Sequence, residues 1–244
     1  MLQKDCIKRR FYNSKITYKK NATIQYAMQE TLLKLLKEHV SIRINNSLGT
    51  LLELGCGNGD FSKAIIKSYL FESYYAIDLV DFSSAFVDSN ITFIQGDFEH
   101  LDSILPNALR FDCILSNAAL QWGNQHTLLP FLSKKLKKGG ILLFSTFGKS
   151  NFKELKTLFN LSLDYLDLQD YSELLCDCKI LDSFECVQNL QFENPLNVFK
   201  HLKNTGVNAL KSHFALTKAH LNLYEKRFQN VLTYHTLFVC AKKY

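Results

Sequence analysis

A glycine-rich turn directly after a buried strand is the feature of this sequence that most narrows its fold. Residues 51–61 read LLELGCGNGDF, an apolar run followed by three glycines at alternate positions and then by the start of a helix. Glycines at this spacing let the backbone turn sharply and approach a ligand that any Cβ would push away. The pattern Gly-x-Gly-x-Gly differs from the Gly-x-Gly-x-x-Gly of dinucleotide sites, which argues against NAD. The turn residues predicted to bind a cofactor are Gly55, Cys56, Gly57 and Gly59.

Short apolar runs alternate with helical stretches on both sides of this turn. Helices are predicted over 60–70 and 126–138, and the second is closed by Gly139 and Gly140. Strand and helix recur at the spacing of βαβ units, which predicts an α/β fold with a parallel, doubly wound sheet. The strands predicted for this part of the chain are 50–54, 74–78, 91–97, 111–117 and 141–147.

The remaining segments read as parts of the same domain. Glycines and prolines, ten and three in number, are scattered singly, so no linker-like stretch separates two domains. After Gly148 the pattern is helical up to about Cys178, and a strand is expected within 180–192. We predict a single domain over 1–244, made of a basic arm and an amphipathic helix (1–45), a cofactor-binding core (50–148), a helical insertion (195–230) and a last strand (231–243).

Composition excludes several classes of protein. No apolar run approaches the roughly 18 residues that a membrane-spanning helix needs, and the basic N-terminus is not followed by the apolar core of a signal sequence. The seven cysteines are an odd number and mostly far apart, which fits reduced thiols in the cytoplasm. Cys176 and Cys178 are too close together for a usual zinc pair, so we predict no metal site.

The positive charge of the chain is concentrated at its start. The formal net charge is +6, and the first twenty residues contain seven lysines and arginines, among them Lys8, Arg9 and Arg10, against the single acid Asp5. The rest of the chain is therefore balanced. Such an arm is suited to an acidic partner, nucleic acid or a membrane surface, and a solvated tail is the alternative interpretation.

Acidic residues stand at or near the ends of three successive predicted strands. They are Glu53, Asp78 and Asp97. Because the carboxyl ends of parallel strands meet at one edge of the sheet, these side chains are expected to converge where open α/β sheets bind ligands. Asp78 is placed to accept both hydrogen bonds of a ribose diol, and Asp97, with Phe98 after it, is placed to hold an adenine ring.

This constellation resembles the class I methyltransferases that use S-adenosylmethionine, and the resemblance covers 50–147 well. It implies a seven-stranded, mostly parallel sheet with a helical lid and an antiparallel last strand. It also implies that the glycine turn lies against the methionine part, that Asp78 holds the ribose and that Asp97 holds the adenine. The cofactor-binding residues so predicted are Gln25, Glu53, Gly55, Cys56, Gly57, Gly59, Asp78, Leu79, Asp97, Phe98 and Asn117.

Four further segments are similar to one family among these enzymes, the malonyl-acyl-carrier-protein O-methyltransferases of biotin synthesis. They are FYNSKITY (11–18), SNAALQW (116–122), HLKNTGVNAL (201–210) and LTYHTLF (232–238). The resemblance implies methyl transfer from S-adenosylmethionine to the free malonyl carboxylate, and a small acidic carrier protein as partner. A membrane or nucleic-acid partner is not expected.

The chemistry implied by this resemblance needs no general base. A carboxylate with an ordinary pKa of about 4 is ionised at neutral pH and is itself the nucleophile. What the chain must supply is a closed pocket that holds this carboxylate. The residues predicted to bind the substrate are Tyr18, Gln121, Trp122, His201 and Lys203.

Two other functions remain open from the sequence. The first is a quinone or other small-molecule methyltransferase on the same fold, which would need a base near Asn117. The second is an RNA-binding methyltransferase, or a non-catalytic protein that binds S-adenosylmethionine, with the basic arm on phosphates. Aromatic residues within the arm, at Phe11, Tyr12 and Tyr18, keep this second function open.

Overall fold

A computed structural model describes residues 4–40, 47–206 and 215–244 of the chain. Nine helices lie within these ranges: α1 (Lys4–Asn21), α2 (Thr23–His39), α3 (Asp60–Ile66), α4 (Leu101–Ile104), α5 (Gln125–Lys135), α6 (Lys153–Phe159), α7 (Leu168–Leu174), α8 (Pro195–Asn204) and α9 (Lys218–Phe228). The strands are β1 (Thr50–Leu54), β2 (Ser73–Asp78), β3 (Ile91–Gln95), β4 (Phe111–Asn117), β5 (Leu136–Phe147), β6 (Cys178–Gln191) and β7 (Val231–Lys243).

The strands form one seven-stranded sheet in the order β3-β2-β1-β4-β5-β7-β6. The pairs β3–β2, β2–β1, β1–β4 and β4–β5 are all parallel. The last two strands, β6 and β7, are antiparallel to each other. Thr233 bonds to Asn189 and Thr236 bonds to Cys186, so a step of three residues forward along β7 corresponds to a step of three residues backward along β6. The predicted α/β fold is confirmed. The strand order along the sheet reverses between β1 and β4, and sheets of this kind bind ligands at that point.

The boundary between α5 and β5 differs from the sequence prediction. The helix predicted over 126–138 ends at Lys135, and Leu136 already has the extended backbone of a strand. Leu136 pairs with Phe111 of β4, so the Lys-Lys-Gly-Gly stretch extends β5. Pairing with a neighbouring strand outweighs the helical preference of the lysines there.

The chain divides into two compact units. Unit 1 consists of Met1–Ile24, Phe147–Tyr165 and Cys186–Thr236, and unit 2 of Gln25–Thr146, Leu166–Glu185 and Leu237–Tyr244. Each unit is discontinuous in sequence, and β6 and β7 have residues in both. The expectation of a single domain over 1–244 stays a prediction.

Unit 2 contains the glycine turn and at least part of every strand. Its core is apolar and includes alternate residues of adjacent strands, which therefore share one face of the sheet. Fully buried members of this core are Leu52, Leu54, Ile114, Leu142 and Phe144. These strands are buried along most of their length, as expected for a parallel sheet.

Unit 1 is built mainly from helices, and the segment predicted as a basic arm is one of them. Helix α1 begins at Lys4, buries Cys6, Ile7 and Ser14, and contacts α8. The interpretation of this segment as a solvated tail is therefore wrong for the residues that the structure describes. Within the predicted segments, residues 1–3 and 41–45 of the N-terminal part lie outside the described residues, as do 207–214 of the helical insertion, with the last four of HLKNTGVNAL.

None of the helices described is both long enough and apolar enough to cross a lipid bilayer.

Candidate functional site

The glycine turn of unit 2 is held against the end of β2 by backbone hydrogen bonds. The amides of Gly55 and Cys56 both donate to the carbonyl of Ile77, at 2.8 and 3.2 Å. The amide of Gly59 donates to the carbonyl of Cys56 at 3.0 Å, which closes the turn just before α3. Gly55, Gly57 and Gly59 have φ angles of +69°, +53° and +76°. This left-handed backbone explains why the turn uses glycine at all three positions.

The three glycines differ in what surrounds them. A Cβ on Gly55 would lie 2.2 Å from the Cβ of Ala119, and one on Gly59 would lie 2.9 Å from the ring of Phe86. A Cβ on Gly57 would meet nothing within 4 Å. Gly55 and Gly59 are therefore required by packing inside the protein, whereas Gly57 borders open space that a ligand can enter.

Asp78, at the end of β2, fixes this turn through both of its carboxylate oxygens. Its Oδ2 accepts from the amide of Gly57 at 2.9 Å, and its Oδ1 accepts from the amide of Val80 at 2.8 Å. A carboxylate oxygen has two lone pairs, so each oxygen retains acceptor capacity for a ribose hydroxyl. Leu79 follows Asp78 directly in the chain. The geometry fits the predicted ribose role of Asp78, which stays a prediction.

Glu53 is buried beneath the turn and bonds to protein groups. Its Oε2 accepts from the hydroxyl of Ser62 at 2.5 Å and from the hydroxyl of Tyr74 at 2.6 Å. Burial raises the pKa of the Glu53 carboxyl to about 7, against the lowering effect of these two bonds. Glu53 thus ties β1 to α3 and β2, and its predicted contact with a cofactor stays a prediction.

The adenine-binding end predicted after β3 forms a short 3₁₀ turn, Phe98–His100. The Oδ1 of Asp97 accepts from the amide of Glu99 at 3.0 Å and so caps this turn. Glu99 in turn accepts from the amide of Asn124 at 2.5 Å, and Phe98 lies buried against Gly123. The turn after β3 is therefore joined to the segment after β4. Asp97 and Phe98 both lie at this turn, and their predicted contact with adenine stays a prediction.

Asn117 and Gln25 are brought together at the end of β4. The Nδ2 of Asn117 donates to the backbone carbonyl of Gln25 at 3.0 Å, and its Oδ1 accepts from the hydroxyl of Ser145 at 2.7 Å. The side chain of Gln25 is only 5% exposed, and its Oε1 is buried without a hydrogen-bond partner among the residues that the structure describes. A buried acceptor without a donor is unfavourable by about 1 to 3 kcal/mol. A ligand that donates a hydrogen bond to this oxygen would remove that penalty, so the buried Oε1 of Gln25 fits a bound cofactor.

A link between α2 and α3 was missed by the sequence analysis. The hydroxyl of Tyr26 donates a short hydrogen bond to Oδ2 of Asp60, which also accepts from the amide of Asn58 at 3.0 Å. Burial and the neighbouring carboxylate raise the pKa of Tyr26 to about 12. The link holds the start of α2 at the end of the glycine turn. No sequence signal joins two residues so far apart in the chain.

The segment SNAALQW adopts a strained turn after β4. Ala118 has a φ of +52°, unusual for a residue with a side chain, and its amide donates to the carbonyl of Ser145 at 3.0 Å. The buried side chain of Gln121 donates to the carbonyl of Ala118 at 2.6 Å and accepts from Thr146 at 3.1 Å. Both ends of the Gln121 amide are therefore engaged inside the protein. Trp122 is half-buried, and substrate binding by Gln121 and Trp122 stays a prediction.

The other three predicted substrate residues lie in unit 1. The Nε2 of His201 is 2.7 Å from the hydroxyl of Tyr234, and Tyr234 also interacts electrostatically with Tyr18 and Tyr165. We call these four residues the Tyr–His cluster. Lys203 is exposed on α8 and lies about 200° around the helix from His201, so it faces away from the cluster.

Burial sets the protonation of the Tyr–His cluster. It lowers the pKa of His201, which favours the neutral imidazole at neutral pH. It raises the pKa of Tyr165 and Tyr234 well above the ordinary value for tyrosine, so both phenols keep their protons. The cluster therefore contains neutral hydroxyl donors in a buried setting. Tyr18 and His201 were predicted, whereas Tyr234 lay in the quoted segment LTYHTLF without being singled out and Tyr165 carried no sequence signal beyond a helical region.

Comparison with known proteins gives a family and solved structures that share the fold. A family model described as "Methyltransferase domain" matches residues 21–176. The chain is 32% identical to the malonyl-[acyl-carrier protein] O-methyltransferase of Calditerrivibrio nitroreducens, over 97% of this chain and 96% of that protein. It is 31% identical to the Haemophilus influenzae protein of the same name, over 99% of this chain and 95% of that one.

Solved structures agree at lower identity and bear on the fold alone. A SAM-dependent methyltransferase from Archaeoglobus fulgidus is 14% identical with a TM-score of 0.54, and the match covers 93% of this chain and 98% of that one. The N-methyltransferase NodS from Bradyrhizobium japonicum, solved with S-adenosyl-L-homocysteine, is 14% identical with a TM-score of 0.52, over 88% of this chain and 85% of that one.

Proposed function

The chain belongs to the malonyl-[acyl-carrier protein] O-methyltransferase family, and from that premise we propose that it transfers a methyl group from S-adenosylmethionine to the free carboxylate of malonyl-acyl-carrier protein. The product is a malonyl methyl ester, the precursor of pimelate in biotin synthesis. The observation that carries the proposal is the similarity to curated relatives over nearly the whole chain, at about one-third identity. This similarity extends over the segments on the substrate side as well as over the cofactor-binding core.

The cofactor site of unit 2 fits S-adenosylmethionine, whose sulfonium supplies an electrophilic methyl group. Gly57 leaves room for close approach of a ligand to the backbone. Asp78 has acceptor capacity for the ribose diol, while Asp97 and Phe98 hold the adenine. The Oε1 of Gln25 is a buried acceptor for a donor such as the ammonium of the methionine part. The remaining proposed contacts come from Glu53, Gly55, Cys56, Gly59, Leu79 and Asn117.

The substrate side is proposed to hold an anion and to exclude water. A malonyl carboxylate, with a pKa of about 4, needs no base to become a nucleophile. In unit 1, the Tyr–His cluster offers hydroxyl donors, and the phenols of Tyr165 and Tyr234 keep their protons at neutral pH because burial raises their pKa. We propose that Tyr18 and His201 bind the malonyl end and that Tyr234 positions His201 through their hydrogen bond. We also propose that the substrate contacts Gln121, Trp122 and Lys203, and that α8 forms part of the predicted lid.

Three further features of this function are proposals. The enzyme works in the cytoplasm, which is supported by cysteines that are all free thiols in the structure. It uses no metal ion, because a carboxylate nucleophile needs no Lewis acid to be activated. Its macromolecular partner is the carrier protein, not a membrane or a nucleic acid.

Methyl incorporation from labelled S-adenosylmethionine tests the reaction. We expect label in malonyl-carrier protein and none in acetyl-carrier protein, which lacks the free carboxylate. Malonyl-CoA and a phenolic acceptor form the other two arms of the assay. Equal labelling of the malonyl and acetyl forms would contradict carboxylate methylation, and preferential labelling of the phenol would favour a small-molecule methyltransferase.

A further inference from the structure

Charge is divided unequally between the two units. Unit 1 contains 16 lysines and arginines against five aspartates and glutamates, a net charge of +11. Unit 2 contains 13 against 18, a net charge of −5. The sequence prediction that charge is balanced beyond residue 20 holds only for the net charge of those residues taken together. It does not hold for each unit, because each unit combines distant parts of the chain. Basic character is therefore a property of all of unit 1.

Eleven of the sixteen cations of unit 1 are exposed on helices that contact one another. Helix α1 contacts α8, α8 contacts α9, and α9 contacts α6. We call these four helices the cationic helix layer. Its exposed basic residues are Lys8, Arg9, Lys19 and Lys20 on α1, Lys153 and Lys156 on α6, Lys200 and Lys203 on α8, and Lys218, Lys226 and Arg227 on α9.

Helix stability accounts for only part of this accumulation. Basic residues in a last turn, such as Lys19 and Lys20, interact favourably with the helix dipole. Lys8 and Arg9 lie in the first half of α1, where the dipole gives them no such benefit. Five acids also cannot neutralise sixteen cations, so much of the charge repels itself. A concentration of charge of one sign that local helix stability explains only in part is typical of a surface that meets an oppositely charged partner.

Two hydrogen bonds fix α1 and α8 against each other. The hydroxyl of Thr17 donates to the carbonyl of Asn204 at 3.0 Å, and the amide of Asn204 donates to Oδ1 of Asn21 at 3.3 Å. Lys20 and Lys203 are the chain neighbours of Asn21 and Asn204, so the two cations stand at the same end of the helix pair. The two bonds therefore fix the ends of α1 and α8 that carry these two cations.

The same surface carries an aromatic anchor and connects to the Tyr–His cluster. Tyr12 is 62% exposed on α1, with the Nζ of Lys15 at 5.0 Å from its ring centre. Tyrosine is enriched in protein interfaces and among the residues that contribute most to binding. On α8, Lys200 and Lys203 face outward while His201 faces the interior and bonds to Tyr234. One helix thus joins the outer cations to the proposed substrate residues.

We propose that the α1–α8 face of unit 1 is the docking surface for the acidic carrier protein, which would deliver its malonyl thioester towards the inner side of α8. This inference rests on the proposed function, because it names the surface by which the substrate of that reaction is recognised. The charge of unit 1 is complementary to an acidic protein. Attraction of this kind acts mainly on the rate of encounter and weakens as salt shortens the Debye length.

Charge reversal on this face tests the proposal. The test variants are Lys8→Glu with Arg9→Glu on α1, and Lys200→Glu on α8. The matched control is Lys134→Glu with Lys179→Glu, two exposed lysines of unit 2. Affinity for fluorescently labelled carrier protein is measured by anisotropy, and kcat/KM is measured for malonyl-carrier protein, both at 20 mM and 300 mM salt. Circular dichroism confirms that each variant is folded.

We expect a loss of about tenfold or more in affinity and kcat/KM for the test variants at low salt, and a loss of less than about threefold at high salt. The control variant should stay within about twofold of the parent. Test variants that bind the carrier protein as the parent does, or a control that loses as much, would overturn the proposal. So would a short RNA that binds this face more tightly than the carrier protein.

Failure of the docking surface and failure of the proposed function give different results. A parent enzyme that binds the carrier protein but labels no malonyl group contradicts the reaction and leaves the surface in place. If the parent enzyme and the charge-reversal variants label malonyl-carrier protein equally, the docking surface is contradicted and the reaction stands.

Discussion

The backbone amide of Gly57 donates a hydrogen bond of 2.9 Å to the carboxylate of Asp78, so the end of β2 holds the turn that follows β1. The other oxygen of the same carboxylate accepts from Val80. One side chain thus shapes the backbone around the cofactor site and, in the proposed complex, binds the ribose. Its loss should affect both the turn and the ligand.

Asp78→Ala is expected to weaken S-adenosylmethionine binding by about 1.5 to 3 kcal/mol, or roughly 10- to 150-fold, because a charged acceptor of the ribose diol is lost. Calorimetric titration measures this affinity. Asp88→Ala removes an exposed carboxylate elsewhere in unit 2 and serves as the control, with affinity within about twofold of the parent. Unchanged binding by Asp78→Ala would mean that the turn is structural only.

The orphaned oxygen of Gln25 leads to a prediction in which stability and binding change in opposite directions. Gln25→Met keeps the length and burial of the side chain but removes the acceptor that lacks a donor. The backbone carbonyl that binds Asn117 is unaffected. Without cofactor, the free energy of unfolding should rise or stay equal, whereas cofactor affinity should fall by about 1 to 2 kcal/mol.

Urea denaturation and calorimetric titration on the same preparation separate the two effects. Gln29→Met, one helical turn further along α2, is the control for the change of residue type. A variant that loses stability and keeps its affinity would show that Gln25 packs the core and does not bind the cofactor.

Sequence reasoning succeeded where the signal is local. The strands around the glycine turn follow from apolar runs, and the turn residues follow from glycine spacing, because both depend on a few consecutive residues. The strands over 50–54 and 111–117 have the predicted bounds. The boundary at Lys135 was missed because it depends on the pairing of Leu136 with Phe111 in a neighbouring strand.

Features that join distant segments could not be predicted. Tyr26 and Asp60 are separated by 34 positions, and nothing in either local pattern indicates that they bond. Helix α1 was hidden because its many charges resemble a solvated arm, while its buried residues are few. The charge of unit 1 was hidden for a similar reason, since the unit is assembled from three separate stretches of sequence.

The buried carboxyl of Glu53 should make stability depend on pH. Its pKa is about 7 in the folded chain, against about 4.3 for an unfolded glutamate. Between these values the folded state holds a proton that the unfolded state has released, so the free energy of unfolding falls as pH rises. The contribution is complete below pH 4 and is lost as pH rises through about 7, a change of about 4 kcal/mol.

Glu53→Gln removes this titration and keeps an oxygen that accepts from Ser62 and Tyr74. Urea denaturation of both proteins at intervals from pH 5 to pH 8 should show a steeper decline for the parent than for the variant. Parallel pH profiles would show that Glu53 is ionised throughout and that burial does not raise its pKa.

Tyr234→Phe tests the proposed positioning of His201, because it removes the hydroxyl that lies 2.7 Å from the imidazole and keeps the buried ring. Tyr224→Phe is the matched control, since Tyr224 is another buried tyrosine of unit 1, whose hydroxyl donates to the carbonyl of Val231 at 2.6 Å. Both variants should lose about 1 kcal/mol of stability through one missing hydrogen bond.

The two variants should differ in kinetics. With His201 no longer held, Tyr234→Phe is expected to lower kcat/KM for malonyl-carrier protein by about 5- to 30-fold, equivalent to roughly 1 to 2 kcal/mol of transition-state stabilisation. Tyr224→Phe should stay within about twofold, and cofactor affinity should be unchanged in both. A structural role alone would give the two variants the same kinetics. That result would show that the Tyr–His cluster has no role in the reaction and that the loss of a buried hydroxyl matters only for folding.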